Sequence, residues 1–150
     1  MKIQTKYFGE IDYTEDELLT FPKGLFGFEG ERSFLLLPFS EEGTLFSLQS
    51  VKSPDLAFTL MHPFSLCPDY APVLQEDELR RLNAEKSEDL YYYVTCTVRD
   101  PVGESTVNMR CPIAINPDTR EAIQVILNDG RWDMRHKLSE LSAKKGGGLC

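Results

Sequence analysis

Residues 33–61, SFLLLPFSEEGTLFSLQSVKSPDLAFTLM, decide the fold class. They read as three short apolar strands, Ser33–Leu37, Thr44–Val51 and Leu56–Met61. Turn clusters separate them: Ser40-Glu41-Glu42-Gly43 and Ser53-Pro54-Asp55. Short strands at such spacing imply an all-β sheet or barrel.

Working outward, residues 2–7 alternate Ile3, Thr5 and Tyr7 against Lys2, Gln4 and Lys6, the period of a half-buried strand. Gly9 suits a bend before Ile11 and Tyr13. Thr14-Glu15-Asp16-Glu17 has the form of a capping box, but Pro22 follows too soon for a helix, so a turn into a strand is expected. FPKGLFGFEGE, residues 21–31, sets three glycines and a proline among Phe21, Leu25, Phe26 and Phe28. It must be a structured loop, whose four apolar side chains either plug the end of a barrel or form a contact patch.

HPFSLCPDYAPVL, residues 62–74, carries three prolines and is expected to be an irregular surface connection. Glu76–Asn83 is the clearest helix, with Leu79 and Leu82 on one face and Glu76, Asp77 and Glu78 in its first turn. Leu90–Arg99, Thr106–Asn116 and Glu121–Leu127 supply three more strands, with a turn at Asn116-Pro117-Asp118. WDMRHKLSELSA allows a helix with Met134, Leu138 and Leu141 on one face. KKGGG then abandons periodicity, so residues 144–150 read as a flexible tail after a domain at 1–143. The fold expected is mainly β: a compact single-domain antiparallel pseudo-barrel with one short helix.

The chain has 150 residues, 41% hydrophobic and 27% charged, which is the balance of a folded protein. Its formal net charge of −8 repels phosphate backbones and anionic lipid, and attracts basic protein surfaces. Direct nucleic-acid and membrane binding are therefore disfavoured. The first residues lack the apolar run of a signal peptide and no stretch approaches the about 20 apolar residues of a membrane span, so a cytoplasmic protein with reduced thiols is expected. Cys67, Cys96, Cys111 and Cys150 form no C-x-x-C pair. Buried free thiols are expected for the first three and an exposed one for the last.

Chemistry is hard to find. His62 and His136 have no metal-ligand spacing, and His62, Cys67 and Asp69 lack a fourth partner. Gly24, Gly27 and Gly30 enclose an apolar, acidic loop that suits phosphate poorly, and there is no nucleophile elbow or Walker loop. No catalytic residue, cofactor or metal is expected. Tyr91, Tyr92 and Tyr93 follow Glu88 and Asp89 and lack the basic surroundings of a base-stacking platform, so they read as a strand with rings in the core.

TKYFGEIDY, LLTFPKGLFGFE, FLLLP, LFSLQSV and PDLAFTL, followed by EDLYYYVTCTVRDP, STVNMRCPIAIN and QVILNDGRWDMRH, together resemble the FliW family from about residue 3 to residue 138. Trp132 and Lys137 depart from its usual tyrosine and proline, and KKGGGLC has no counterpart in it. The resemblance implies a β pseudo-barrel that binds two proteins, the translational regulator CsrA and flagellin. FliW relieves CsrA's repression of flagellin mRNA, and flagellin in turn captures FliW. Glu10, Asp12, Glu15, Asp69, Glu76, Asp77 and Glu78 are the candidates for a CsrA-facing surface, and Phe21, Leu25, Phe26 and Phe28 for a flagellin-facing one. The alternative is a small β-barrel enzyme or ligand-binding protein with a pocket between Tyr91–Tyr93 and the Phe21–Phe28 loop.

Overall fold

A computed structural model of the chain describes residues 1–41 and 43–142, so the tail expected at 144–150 lies outside the described residues. Two short strands, β1 (Lys2–Gln4) and β2 (Glu10–Asp12), pair as a separate antiparallel ribbon. The Lys6 N–H donates to Gln49 Oε1 at 2.9 Å, which pins the ribbon's turn to the main sheet. Gln49 is fully buried, and its Nε2 donates to the carbonyls of Ser50 and Pro54, so both ends of this core amide are satisfied.

The main sheet carries the expected central strands, now β4 (Ser33–Pro38), β5 (Leu45–Ser50) and β6 (Ala57–Met61). Their antiparallel register sets Leu36 opposite Leu48 and Leu48 opposite Phe58. Around them run β3 (Leu19–Thr20), β7 (Tyr91–Thr97), β9 (Ile113–Ile115) and β10 (Ala122–Gln124), in the order β10-β9-β7-β6-β5-β4-β3. The two ends of that order meet: Thr20 bridges to Glu121, and its N–H donates to the Arg120 carbonyl at 2.9 Å. This closure makes the pseudo-barrel and covers the two strand edges that would otherwise template further pairing.

Period-two alternation along β7 separates two cores. Tyr93 joins Phe21, Leu25, Phe34, Leu48, Leu60 and Ile113 inside the barrel. Tyr92, Val94 and Cys96 face the other way, where Tyr70, Leu74, Leu82, Trp132 and Leu141 cover them. Among the described residues three short helices, α1 (Pro63–Leu66), α2 (Glu76–Arg81) and α3 (Leu138–Ser142), contribute to this outer core, rather than the single helix expected.

Several expectations need correction, each for a local reason. The 62–74 connection is irregular but not superficial: Pro63, Cys67, Tyr70, Pro72 and Leu74 are buried because the outer face of β7 needs a cover. Tyr70 Oη donates to the Met109 carbonyl at 2.7 Å. Cys67 is disulfide-bonded rather than a free thiol, whereas Cys96 and Cys111 are free and buried.

The single strand expected over Thr106–Asn116 is broken into β8 (Thr106–Val107) and β9, with the Cys111 N–H bonded to Asn108 Oδ1 at 2.9 Å in the intervening loop. The C-terminal helix begins only at Leu138, because His136–Lys137 form β11 against β8. Met134 is consequently off the helix and exposed, while Leu141 is buried. Thr14 does start a turn: its N–H donates to Glu17 Oε1 at 2.9 Å, a 3-10 turn follows at Glu15–Glu17, and then comes β3.

Candidate functional site

The loop 21–31 is divided between core and surface. Phe21 and Leu25 are buried inside the barrel, so neither offers free surface. Phe26 and Phe28 are 50% and 40% exposed. The Phe21 N–H donates to the Arg32 carbonyl at 2.7 Å and the Phe28 N–H to the Leu25 carbonyl at 2.8 Å, which fixes this division. Gly24 has φ +66°, and a Cβ placed there would lie 2.5 Å from the Phe28 carbonyl oxygen. Only glycine fits so tight a turn at positive φ.

Leu25 and Phe26 of this loop line a cleft of about 550 Å³ together with residues of β6 and β7. Phe26, Phe58 and Met134 give it apolar walls, and Thr59, Thr95, Thr97, Asn108 and Gln124 give it polar ones. Among the described residues no Asp, Glu, Lys or Arg lines it, although 27% of the chain is charged. Gln124 fixes its mouth: Oε1 accepts the Phe26 N–H at 3.0 Å while Nε2 donates to the Cys111 carbonyl at 3.2 Å. Phe28 stands edge-on to Phe58, with ring centres 5.1 Å apart.

The thiols of the cleft, Cys96 and Cys111, are pushed above the ordinary thiol range by burial, so they are protonated and weakly nucleophilic at neutral pH. Neither histidine lines it. Among the described residues no three of His, Cys, Asp and Glu converge as metal ligands, and no helix is long and apolar enough to cross a membrane.

The acidic candidates lie on two distinct parts of the chain. Glu10, Asp12 and Glu15 are exposed on the ribbon and the turn after it, with Glu10 Oε1 3.8 Å from Lys2 Nζ. Asp69, Glu76 and Asp77 are exposed on the segment from α1 to α2, with Asp77 Oδ2 3.5 Å from Arg81. Glu78 is half-buried and accepts the Gln75 N–H at 2.8 Å as part of a helix cap. Tyr91, Tyr92 and Tyr93 line a cleft with His62, Phe64 and Leu90, distinct from the one that Phe26 lines.

Sequence reasoning placed Met134 on a helix face and did not single out Gln124 or Asn108, all three of which line the cleft. It also missed the exposed grouping of Tyr7, Phe8 and Phe39, with ring centres 5.4 and 5.3 Å from Phe39.

The model of the family described as FliW protein matches residues 2–138. The chain belongs to the FliW family. It is similar to the flagellar assembly factor FliW of Shouchella clausii, at 35% identity over 98% of this chain and 99% of that protein. It is also similar to the flagellar assembly factor FliW of a Geobacillus species (strain WCH70), at 40% identity over 92% of this chain and 95% of that one. A crystal structure of the flagellar assembly factor FliW has the same fold, with a TM-score of 0.85, 38% identity, and coverage of 92% and 96% of the two chains. The cleft and every acidic candidate fall inside the span matched to FliW, whereas the Gly-rich end does not.

Proposed function

We propose that this FliW-family chain is a cytoplasmic flagellar assembly factor that works by exchanging two protein partners. It binds CsrA and relieves the repression of flagellin mRNA, and it is captured by flagellin when flagellin accumulates. The reading rests on the match to FliW over residues 2–138. Two physical features favour it. A net charge of −8 suits action on a basic RNA-binding protein rather than on RNA. The cleft beside Phe26 and Phe28 has no charged lining among the described residues and suits an apolar segment of a partner, for which flagellin is the candidate.

The role is binding, not catalysis. Titrating the purified protein with CsrA, with flagellin, and with flagellin leader RNA tests it directly. Saturable binding of both proteins without RNA retention is the expected result, with flagellin releasing CsrA in competition. Failure to bind either protein overturns the reading.

A further inference from the structure

A second recess, of about 360 Å³, lies between residues 71–73 and the start of β7. Its walls are tied together through Ser87. That buried hydroxyl accepts the Leu74 N–H at 2.9 Å, and the Ser87 carbonyl accepts Tyr92 Oη at 2.7 Å. Tyr70 and Tyr92 spend their hydroxyls on backbone carbonyls, so the recess presents rings and aliphatic carbon, not tyrosine donors.

Phe64 forms the ridge between this recess and the shallower one lined by Tyr91. Its ring centre lies 5.9 Å from Tyr70 and 6.3 Å from Tyr92, both edge-on. Phe64, Val73 and Tyr91 are 42%, 76% and 60% exposed, so a large apolar area here is open to water.

The electrostatics of this area are one-sided. Glu88 is the single charged residue lining the recess, and among the described residues it takes part in no ion pair. Glu88 and Tyr92 line the same recess; burial pushes the Tyr92 hydroxyl up to about 12, and the carboxylates of Glu88 and Glu78 add to the rise. Exposed aromatic faces beside an unpaired carboxylate are complementary to a planar cation with an aliphatic stem. A second copy of this chain, also at net charge −8, is a poor occupant.

We propose that this recess is an anchor site for an arginine side chain from a basic protein segment, with the stem along Val73 and Leu90, the guanidinium over Phe64 and the charge paired to Glu88. The inference goes beyond the function proposed above and does not depend on which basic protein supplies the arginine.

The test uses the full chain, a blocked Arg-Gly-Arg peptide, and the same peptide carrying lysine or citrulline, followed by amide chemical shifts. Shifts concentrated at Phe64, Glu88 and Tyr91 are expected with arginine, weaker with lysine and absent with citrulline. Glu88→Gln and Phe64→Ala should each weaken binding by about tenfold, with an unchanged far-UV spectrum. Asp55→Asn, exposed on the turn before β6, should have no effect. Shifts spread evenly over all acidic surfaces, or arginine binding undiminished in both variants, overturn the proposal. CsrA takes no part in this experiment, so a failure here is distinct from a failure of the partner-exchange reading.

Discussion

Gln124 and Phe26 are hydrogen-bonded across 98 residues of chain, the Phe26 N–H donating to Gln124 Oε1 at 3.0 Å. Because Gln124 Nε2 also holds the Cys111 carbonyl, one side-chain amide joins the phenylalanine loop to the 108–112 loop. Gln124→Ala should cost about 1–2 kcal/mol in chemical denaturation. Its diagnostic effect is local: hydrogen exchange at Phe26 and Cys111 should accelerate more than exchange in β5. Uniform acceleration would mean that the amide supports global stability and not the cleft.

The two halves of the loop should respond oppositely to truncation. Phe21 is fully buried against Phe34, with ring centres 5.1 Å apart, and Phe21→Ala should destabilise the fold by about 3–5 kcal/mol. Phe26 is half exposed, so Phe26→Ala should leave the melting transition nearly unchanged and weaken flagellin binding. Unaltered flagellin affinity in a folded Phe26→Ala protein would remove the loop from that interface.

Gly24 is the conformational hinge of this arrangement. Alanine there combines a φ of +66° with a Cβ 2.5 Å from the Phe28 carbonyl oxygen, so the backbone must move. Gly24→Ala should destabilise by more than about 1 kcal/mol and displace Phe28 from Phe58. Gly9→Ala is the control, since its φ is the same and nothing lies within 4 Å of the added carbon. Equal losses in both variants would show that left-handed strain alone is responsible.

Much of this arrangement was written in local patterns. The short apolar runs of residues 33–61, set apart by turn clusters, marked β4, β5 and β6 because each strand buries Phe34, Leu48 or Leu60 in the barrel interior. The glycines of 21–31 announced a structured loop, but not which phenylalanines faced inward. That is set by Gln124 and Arg32, contacts that no local spacing reveals. The 62–74 connection misled for the same reason: its prolines advertise irregular backbone, while its burial depends on packing over the apolar outer face of β7. The acidic residues were visible as charge, yet their sharing with Lys2, Arg81 and the α2 cap was not.

His62 provides a pH test. Its ring centre lies 4.9 Å from Phe46 and 4.8 Å from Tyr93, and burial lowers its proton affinity below the ordinary 6.5. Below that value the unfolded chain takes up a proton that the folded chain resists, so stability is complete above about pH 6.5 and declines as the pH falls. The decline is modest because the ring is only half-buried. Urea midpoints should drop between about pH 7 and about pH 5.5, and His62→Phe should flatten the drop. An undiminished slope in that variant would assign the effect elsewhere.

Charge should govern how fast CsrA is found, whereas apolar contacts should govern how long flagellin is held. Reversing all of Glu76, Asp77 and Glu78 is a blunt test, because Asp77 pairs with Arg81 and Glu78 caps α2, and each acidic side chain near a helix start contributes about 0.3–1 kcal/mol. Asp69 and Glu76 are exposed and outside those contacts, so Asp69→Lys with Glu76→Lys changes the field by four charges while sparing the helix cap. Glu10→Lys with Asp12→Lys does the same on the ribbon. If the α1–α2 side faces CsrA, the first pair should slow association several-fold at low salt and the second should not. The difference should shrink as the screening length falls from about 30 Å at 0.01 M to about 8 Å at 0.15 M salt. Flagellin dissociation should be the same in both variants. Equal CsrA association rates across wild type and both folded variants at low salt would show that these carboxylates only solvate the surface.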